Sequence, residues 1–268
     1  MSSAPHPGET EGFPGEFVAS CLDAALGRGG VQGITGLQGS GKSTLAAQLA
    51  ALAAERGIAV AVLSLDDVYL DHDQRAALAR DVHPLLATRG PPGTHDVDLA
   101  CRTLDALRAG AAVALPRFDK LDDRRLPESD WPRAGPVALV LFEGWFLGTP
   151  AEPDAALLEP VNALERDEDP DGRWRRWCND ALGRDYPALW RRIDHLLFLQ
   201  GPGFDVVPRW RWQQEQALQA RHPDRTAMRR EQVGRFVQFF ERTSRQAMRT
   251  LPNLADGVVR LDAERRLR

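Results

Sequence analysis

Gly36-Leu37-Gln38-Gly39-Ser40-Gly41-Lys42-Ser43 is the stretch that decides the fold. It satisfies G-x-x-x-x-G-K-[ST], and its flanks match the pattern's needs: apolar residues 31–35 before it and a helical run opening with Ser43-Thr44-Leu45 after it. Gly36, Gly39 and Gly41 let backbone N–H groups converge on phosphate oxygens across Gln38 and Ser40, and the helix N-terminus adds a favourable dipole. In such a loop Lys42 reaches the β- and γ-phosphates of a nucleotide and the Ser43 hydroxyl binds Mg²⁺. ATP and Mg²⁺ are therefore the expected cofactors.

Outward from the loop, short apolar runs bounded by Gly, Pro or charge recur at 31–35, 58–65, 111–115, 137–142 and 193–199, and 257–262 reads as a last edge strand. Several are apolar on both faces, the pattern of central parallel strands. Helical spacing lies between them at 17–26, 43–56, 97–109, 155–165 and 207–249. This alternation predicts an α/β, doubly wound parallel sheet with helices on both faces. The loops 81–96 and 116–136 are long enough to suggest function. Residues 1–15 read as a flexible leader. The rest, 16–268, reads as one domain with a helical insertion at about 150–190 and a lid with C-terminal helices at about 204–250.

The 34 basic and 38 acidic side chains leave a net charge of −4, which argues against a nucleic-acid partner. Cys21, Cys101 and Cys178 lie too far apart in sequence for a metal or redox motif, so free thiols and a cytoplasmic setting are expected. No window approaches a membrane span, so no membrane partner is expected. A monomer or a homodimer fits equally.

Two carboxylates close apolar strands. The run 58–65 ends in Asp66-Asp67-Val68-Tyr69, and in an open α/β sheet ligands sit beyond the carboxyl ends of strands. Asp66 is placed to take the proton of an attacking hydroxyl, with Asp67 and Tyr69 as candidate substrate contacts; capping of the next turn is the alternative for either aspartate. The run 137–142 ends in Glu143-Gly144-Trp145, where an acid can hold Mg²⁺ or its water.

The segments GLQGSGKST (36–44), SLDDVYL (64–70), RGPPGTHD (89–96), LPRFDK (115–120), LFEGWFLG (141–148) and PRWRWQQE (208–215), in this order, resemble the plant-type D-glycerate 3-kinases. Those are distant relatives of phosphoribulokinase, uridine kinase and pantothenate kinase. The resemblance runs from about residue 31 to the C-terminal helices. The first, second and fifth segments belong to the wider P-loop kinase superfamily; the others, with DPDGRWRRWCN (169–179), carry the narrower assignment. It implies a five-stranded parallel core in the order 2-3-1-4-5 with a helical lid. It also implies that Lys42, Ser43 and Thr44 serve the nucleotide, Asp66 is the catalytic base and Glu143 is the metal-side acid. One departure is Leu121-Asp122-Asp123-Arg124-Arg125, where the family often carries a Gly-rich stretch before Asp-Arg.

Glycerate is a small anion with two hydroxyls, so its site needs cations and polar groups. Arg117, Asp119 and Lys120 supply two cations and an acid at a strand end, unless they form a solvated charge run. Thr94 or Asp96 can cap the helix that follows, and His95 is either a substrate contact or a solvated loop histidine. Arg209 or Arg211, in the lid, can stabilise the transferring phosphoryl, while Trp210 and Trp212 can simply be core. Trp174 and Trp177 read as packing of the insertion. The implied reaction is phosphoryl transfer from MgATP to D-glycerate, giving 3-phosphoglycerate. Its rivals are a kinase for a nucleoside or pantothenate, and an ATP-binding regulatory protein.

Overall fold

Strand β1 (Val31–Gly36) is buried along its whole length and takes the centre of the sheet. The structure, a computed structural model, describes residues 12–120, 122–221 and 228–268. Beside β1 run β2 (Val60–Ser64), β3 (Leu139–Gly144), β4 (His195–Gln200) and β5 (Gly257–Arg260), in the order β2-β3-β1-β4-β5 and parallel throughout. This is the expected five-stranded, doubly wound sheet. Alternation along β3 sorts its residues: Leu139 and Leu141 face the layer of α1 (Gly15–Arg28) and α2 (Lys42–Glu55), while Val140 and Phe142 face the opposite one. That second layer contains α4 (Val97–Arg108), α6 (Arg173–Arg184), α7 (Tyr186–Trp190) and α9 (Arg230–Leu254), with Leu78 of α3 (His72–Asp81) packed against it. Register sets Ser64 beside Glu143, and Glu143 beside Ile34, so three strand ends finish together.

Three expectations need correction. The run 111–115 is no strand of the main sheet: only Val113–Ala114 is extended, pairing antiparallel with Arg133–Ala134. The helix expected at 155–165 resolves into a short 3₁₀ turn, Asp154–Leu157, and α5 (Ala163–Glu168), whose N-terminus Asn162 caps by accepting from Glu165 N at 3.0 Å. Pro160 between them cannot donate to a continuous ladder. The stretch 207–249 is two helices, α8 (Val207–Arg221) and α9, not one. Most of the expected leader, residues 1–11, lies outside the described residues. No helix among the described residues is long and apolar enough to cross a membrane.

Candidate active site

The loop between β1 and α2 is held in shape by backbone that side chains would spoil. Gly39 (φ 81°) and Gly41 (φ 96°) are left-handed, and a Cβ on Gly39 would lie 2.7 Å from the Cβ of Trp210. Helix α2 has no side-chain cap, so its first-turn N–H groups remain available to an anion. Thr35 Oγ1, Ser40 Oγ and both amide atoms of Gln38 are buried with no partner, the condition of a loop built around a polar ligand. Lys42 is buried and donates to Leu37 O at 3.0 Å. Burial lowers its pKa, against the pull of Glu143 and Asp66. Thr44 lies half-exposed on the first turn of α2.

Opposite Lys42 stand the two strand-end carboxylates. Glu143 Oε1 accepts from Ser64 Oγ at 2.5 Å and from Ser43 Oγ at 3.2 Å. Burial raises the Glu143 carboxyl, with Lys42 opposing. Ser43 and Glu143 thus put oxygen donors of the kind Mg²⁺ prefers at one point beside the loop. Asp66 accepts from Tyr69 Oη and from Lys120 Nζ, each at 2.6 Å. Burial acts to raise Asp66, but Lys120 and Tyr69 outweigh it and hold the carboxyl below its ordinary range. Burial and the neighbouring Asp66 raise the Tyr69 phenol, so it keeps the proton it donates.

Around this pair the structure gathers most of the other expected residues. Arg117 donates to Asp67 at 3.1 Å. Burial raises the Asp67 carboxyl, and Arg117 opposes it. Asp96 caps α4, accepting from Leu99 N at 2.9 Å, while Thr94 braces its own turn through Pro91 O and Gly90 N. His95 is buried, not solvated; burial lowers its pKa to about 3, so the ring is neutral near pH 7. Two residues fall outside the cluster. Asp119 accepts from Asp122 N at 3.1 Å within its own loop. Arg211 pairs with Glu215 at 3.1 Å and stacks over Phe236, joining α8 to α9.

Several contributors were given no role from the sequence. Arg125 donates to Tyr69 O at 2.9 Å and pairs with Asp96 at 3.2 Å, adding a third cation. Asp123 takes the left-handed turn (φ 54°) in the family's Gly-rich position and ties Arg75, Arg89 and His72 to the loop. Arg265 Nε donates to Gly39 O across 226 positions, with its guanidinium 4.9 Å from the Trp210 ring. Tyr186, from the insertion, meets Gly93 N at 2.8 Å and His95 Nδ1 at 2.6 Å. Asp123 and Arg125 lie in the stretch 121–125 already noted as a departure from the family, whereas Arg265 and Tyr186 carried no local signal.

Comparisons with known proteins bear on the family. Residues 16–69 match the family Methylmalonyl Co-A mutase-associated GTPase MeaB, a span limited to α1, the loop, α2 and the first two strands. Over 211 residues the chain is 37% identical to the uncharacterized kinase mug58 of Schizosaccharomyces pombe, covering 73% of each protein. It is 32% identical over 219 residues to the chloroplastic D-glycerate 3-kinase of Arabidopsis thaliana, covering 77% of this chain and 45% of that one. The solved D-glycerate 3-kinase of Cryptococcus neoformans aligns with a TM-score of 0.74 over 94% of this chain and 95% of its own, at 25% identity. With the phosphate loop, the strand-end carboxylates and these relatives together, the chain belongs to the family of P-loop kinases that includes the D-glycerate 3-kinases.

Proposed function

We propose that this kinase transfers the γ-phosphoryl group of ATP to the 3-hydroxyl of D-glycerate, giving 3-phosphoglycerate and ADP. The observation that carries the reading is Asp66: an ionised carboxylate beside Lys42 and the phosphate loop, in a crevice whose other cations suit an anionic acceptor. The backbone of residues 36–43 and Lys42 hold the phosphates. Ser43 and Glu143 would hold Mg²⁺, which would supply charge compensation to the phosphates. Asp66 takes the hydroxyl proton as the new O–P bond forms and the bond to ADP breaks. Arg117, Lys120 and Arg125 present fixed charge to the substrate carboxylate, with Asp67, Tyr69 and Asp96 shaping the positions of the two arginines. The insertion at about 150–190 and, as lid, helices α8 and α9 belong to the same kinase domain, Arg211 lying on α8. A cytoplasmic setting is part of the same proposal, in keeping with three cysteines that form no disulfide.

The test is steady-state kinetics on D-glycerate, L-glycerate, glycerol and uridine, with product identity read by coupling to phosphoglycerate mutase and enolase. A neutral acceptor forgoes the charge-assisted contacts these cations offer a carboxylate, so D-glycerate is expected to exceed glycerol by at least ~100-fold in kcat/KM. Equal use of glycerol or uridine refutes the acceptor, and a product that feeds enolase without mutase moves the transfer to the 2-hydroxyl.

A further inference from the structure

His95 is 5% exposed and boxed by Tyr69, Phe146 and Tyr186, their ring centroids 5.0, 5.7 and 5.8 Å from its own. Its Nε2 is buried and meets no partner. Its Nδ1 lies 2.6 Å from the Tyr186 hydroxyl oxygen, which also accepts the Gly93 N–H at 2.8 Å. A phenol has one proton to give. Among the described residues no acceptor other than Nδ1 faces it. Were Nδ1 protonated instead, the phenol proton and the Nε2 lone pair would both be stranded in an apolar box. Tyr186 therefore donates to Nδ1, and the single imidazole proton sits on Nε2. An unanswered buried donor is costly, so it marks a place for a ligand's acceptor. Tyr69, packed against the same ring, gives its hydroxyl to Asp66, which puts His95 in the crevice of the base.

Building on the kinase reading above, we propose that Tyr186 locks His95 as its Nε2–H tautomer, and that this N–H donates to the substrate hydroxyl that is not phosphorylated, the 2-hydroxyl of D-glycerate. A neutral donor in an aromatic box suits a neutral oxygen, whereas the carboxylate has charged partners in Arg117, Lys120 and Arg125. His95 is then a specificity-determining residue and Tyr186 a positioning residue. The insertion gains a task beyond packing: Trp177 abuts Gly93 (φ 89°), where no side chain would fit, and Tyr186 fixes the amide of the same glycine.

Two measurements decide the matter. In ¹⁵N-labelled enzyme near pH 7 the His95 ring is expected to give a protonated, pyrrole-type Nε2 and a pyridine-type Nδ1. A protonated Nδ1 overturns the proposal whatever the substrate. Kinetics then compare D-glycerate with 3-hydroxypropionate, which lacks the 2-hydroxyl. The wild type is expected to prefer D-glycerate by at least ~10-fold in kcat/KM, the effect of one buried hydrogen bond. His95→Leu and Tyr186→Phe should lose most of this preference through a raised KM for D-glycerate, with KM for ATP held within about twofold. His95→Gln, which keeps an N–H donor near Nε2, should recover part of it. Equal losses on both acceptors would overturn the donor role while leaving the kinase reading intact. If the wild type phosphorylates neither acceptor, the glycerate reading falls and the 2-hydroxyl contact with it, while the nitrogen spectrum still decides the tautomer.

Discussion

Asp66 and Glu143 are two carboxylates in one charged cluster whose surroundings push them apart, the usual mark of divided roles. Burial acts to raise both. Lys120 and Tyr69 overcome it at Asp66, whereas Glu143, fed by Ser43 and Ser64, stays above its ordinary value. If Asp66 takes the proton and Glu143 serves the metal, their amides should fail differently. Asp66→Asn is expected to bind MgATP and lose turnover by at least ~100-fold, since an amide accepts no proton near pH 7. Glu143→Gln is expected to weaken apparent Mg²⁺ affinity, so that added metal restores part of its rate. Initial rates of ADP release against Mg²⁺ concentration read both. Rescue of Asp66→Asn by extra metal would reverse the assignment. Much of this pair was legible in the sequence because each acid closes an apolar strand. The flanking cations were less so: Arg125 looks no different from Arg124 in sequence, yet Arg125 reaches Asp96 and Arg124 is exposed.

Among the elements, the five strands of the sheet announced themselves through apolar runs beside glycine or charge. The run 111–115 did too, and there the pattern misled. Short apolar runs say that a segment is partly buried, not which partner it finds; this one pairs with 133–134 outside the sheet. The insertion was visible as composition, but what secures it was not. Arg242 of α9 donates to Glu165 of α5 at 2.7 and 2.8 Å, to Glu152 at 3.2 Å, and to the carbonyls of Ala156 and Glu159 at 2.8 and 2.6 Å. Arg242→Ala strands the buried Glu165 and leaves Glu152 with Arg249 alone, and is expected to cost about 3–5 kcal/mol of stability. Arg235 makes a similar pair with Glu168 in solvent, and Arg235→Ala should cost less than ~1 kcal/mol. Urea unfolding of the two variants checks the contrast. Equal, small effects would mean the Arg242 network does not hold the insertion.

At the scale of the molecule, the pairings that complete the crevice join distant parts of the chain: Gly39 with Arg265, His95 with Tyr186. No local period encodes such contacts, which is why the sequence pointed to the crevice but not to all of its walls. Burying His95 has a consequence for global stability. Its ordinary pKa of 6.5 falls to about 3 in the fold, burial lowering it against the pull of Asp66. Between those values the unfolded chain binds a proton that the native ring refuses, so stability rises with pH across this window. Acidification from near 6.5 towards 3 removes it at up to about 1.4 kcal/mol per pH unit. Glu143 and Asp67 act the other way: their raised pKa values let the native state take protons first as pH falls through their own windows. The lowered Asp66 adds to the loss only below its ordinary 3.8. Total stability against pH therefore mixes opposing signs, and the histidine is isolated by comparison with His95→Gln, which has no such proton. The wild type's stability relative to that variant is expected to fall by about 1.4 kcal/mol per pH unit between pH 6 and 4, measured by urea unfolding at each pH. Parallel curves for the two proteins would mean that His95 titrates normally in the fold, and the neutral, Tyr186-locked ring would be lost with that result.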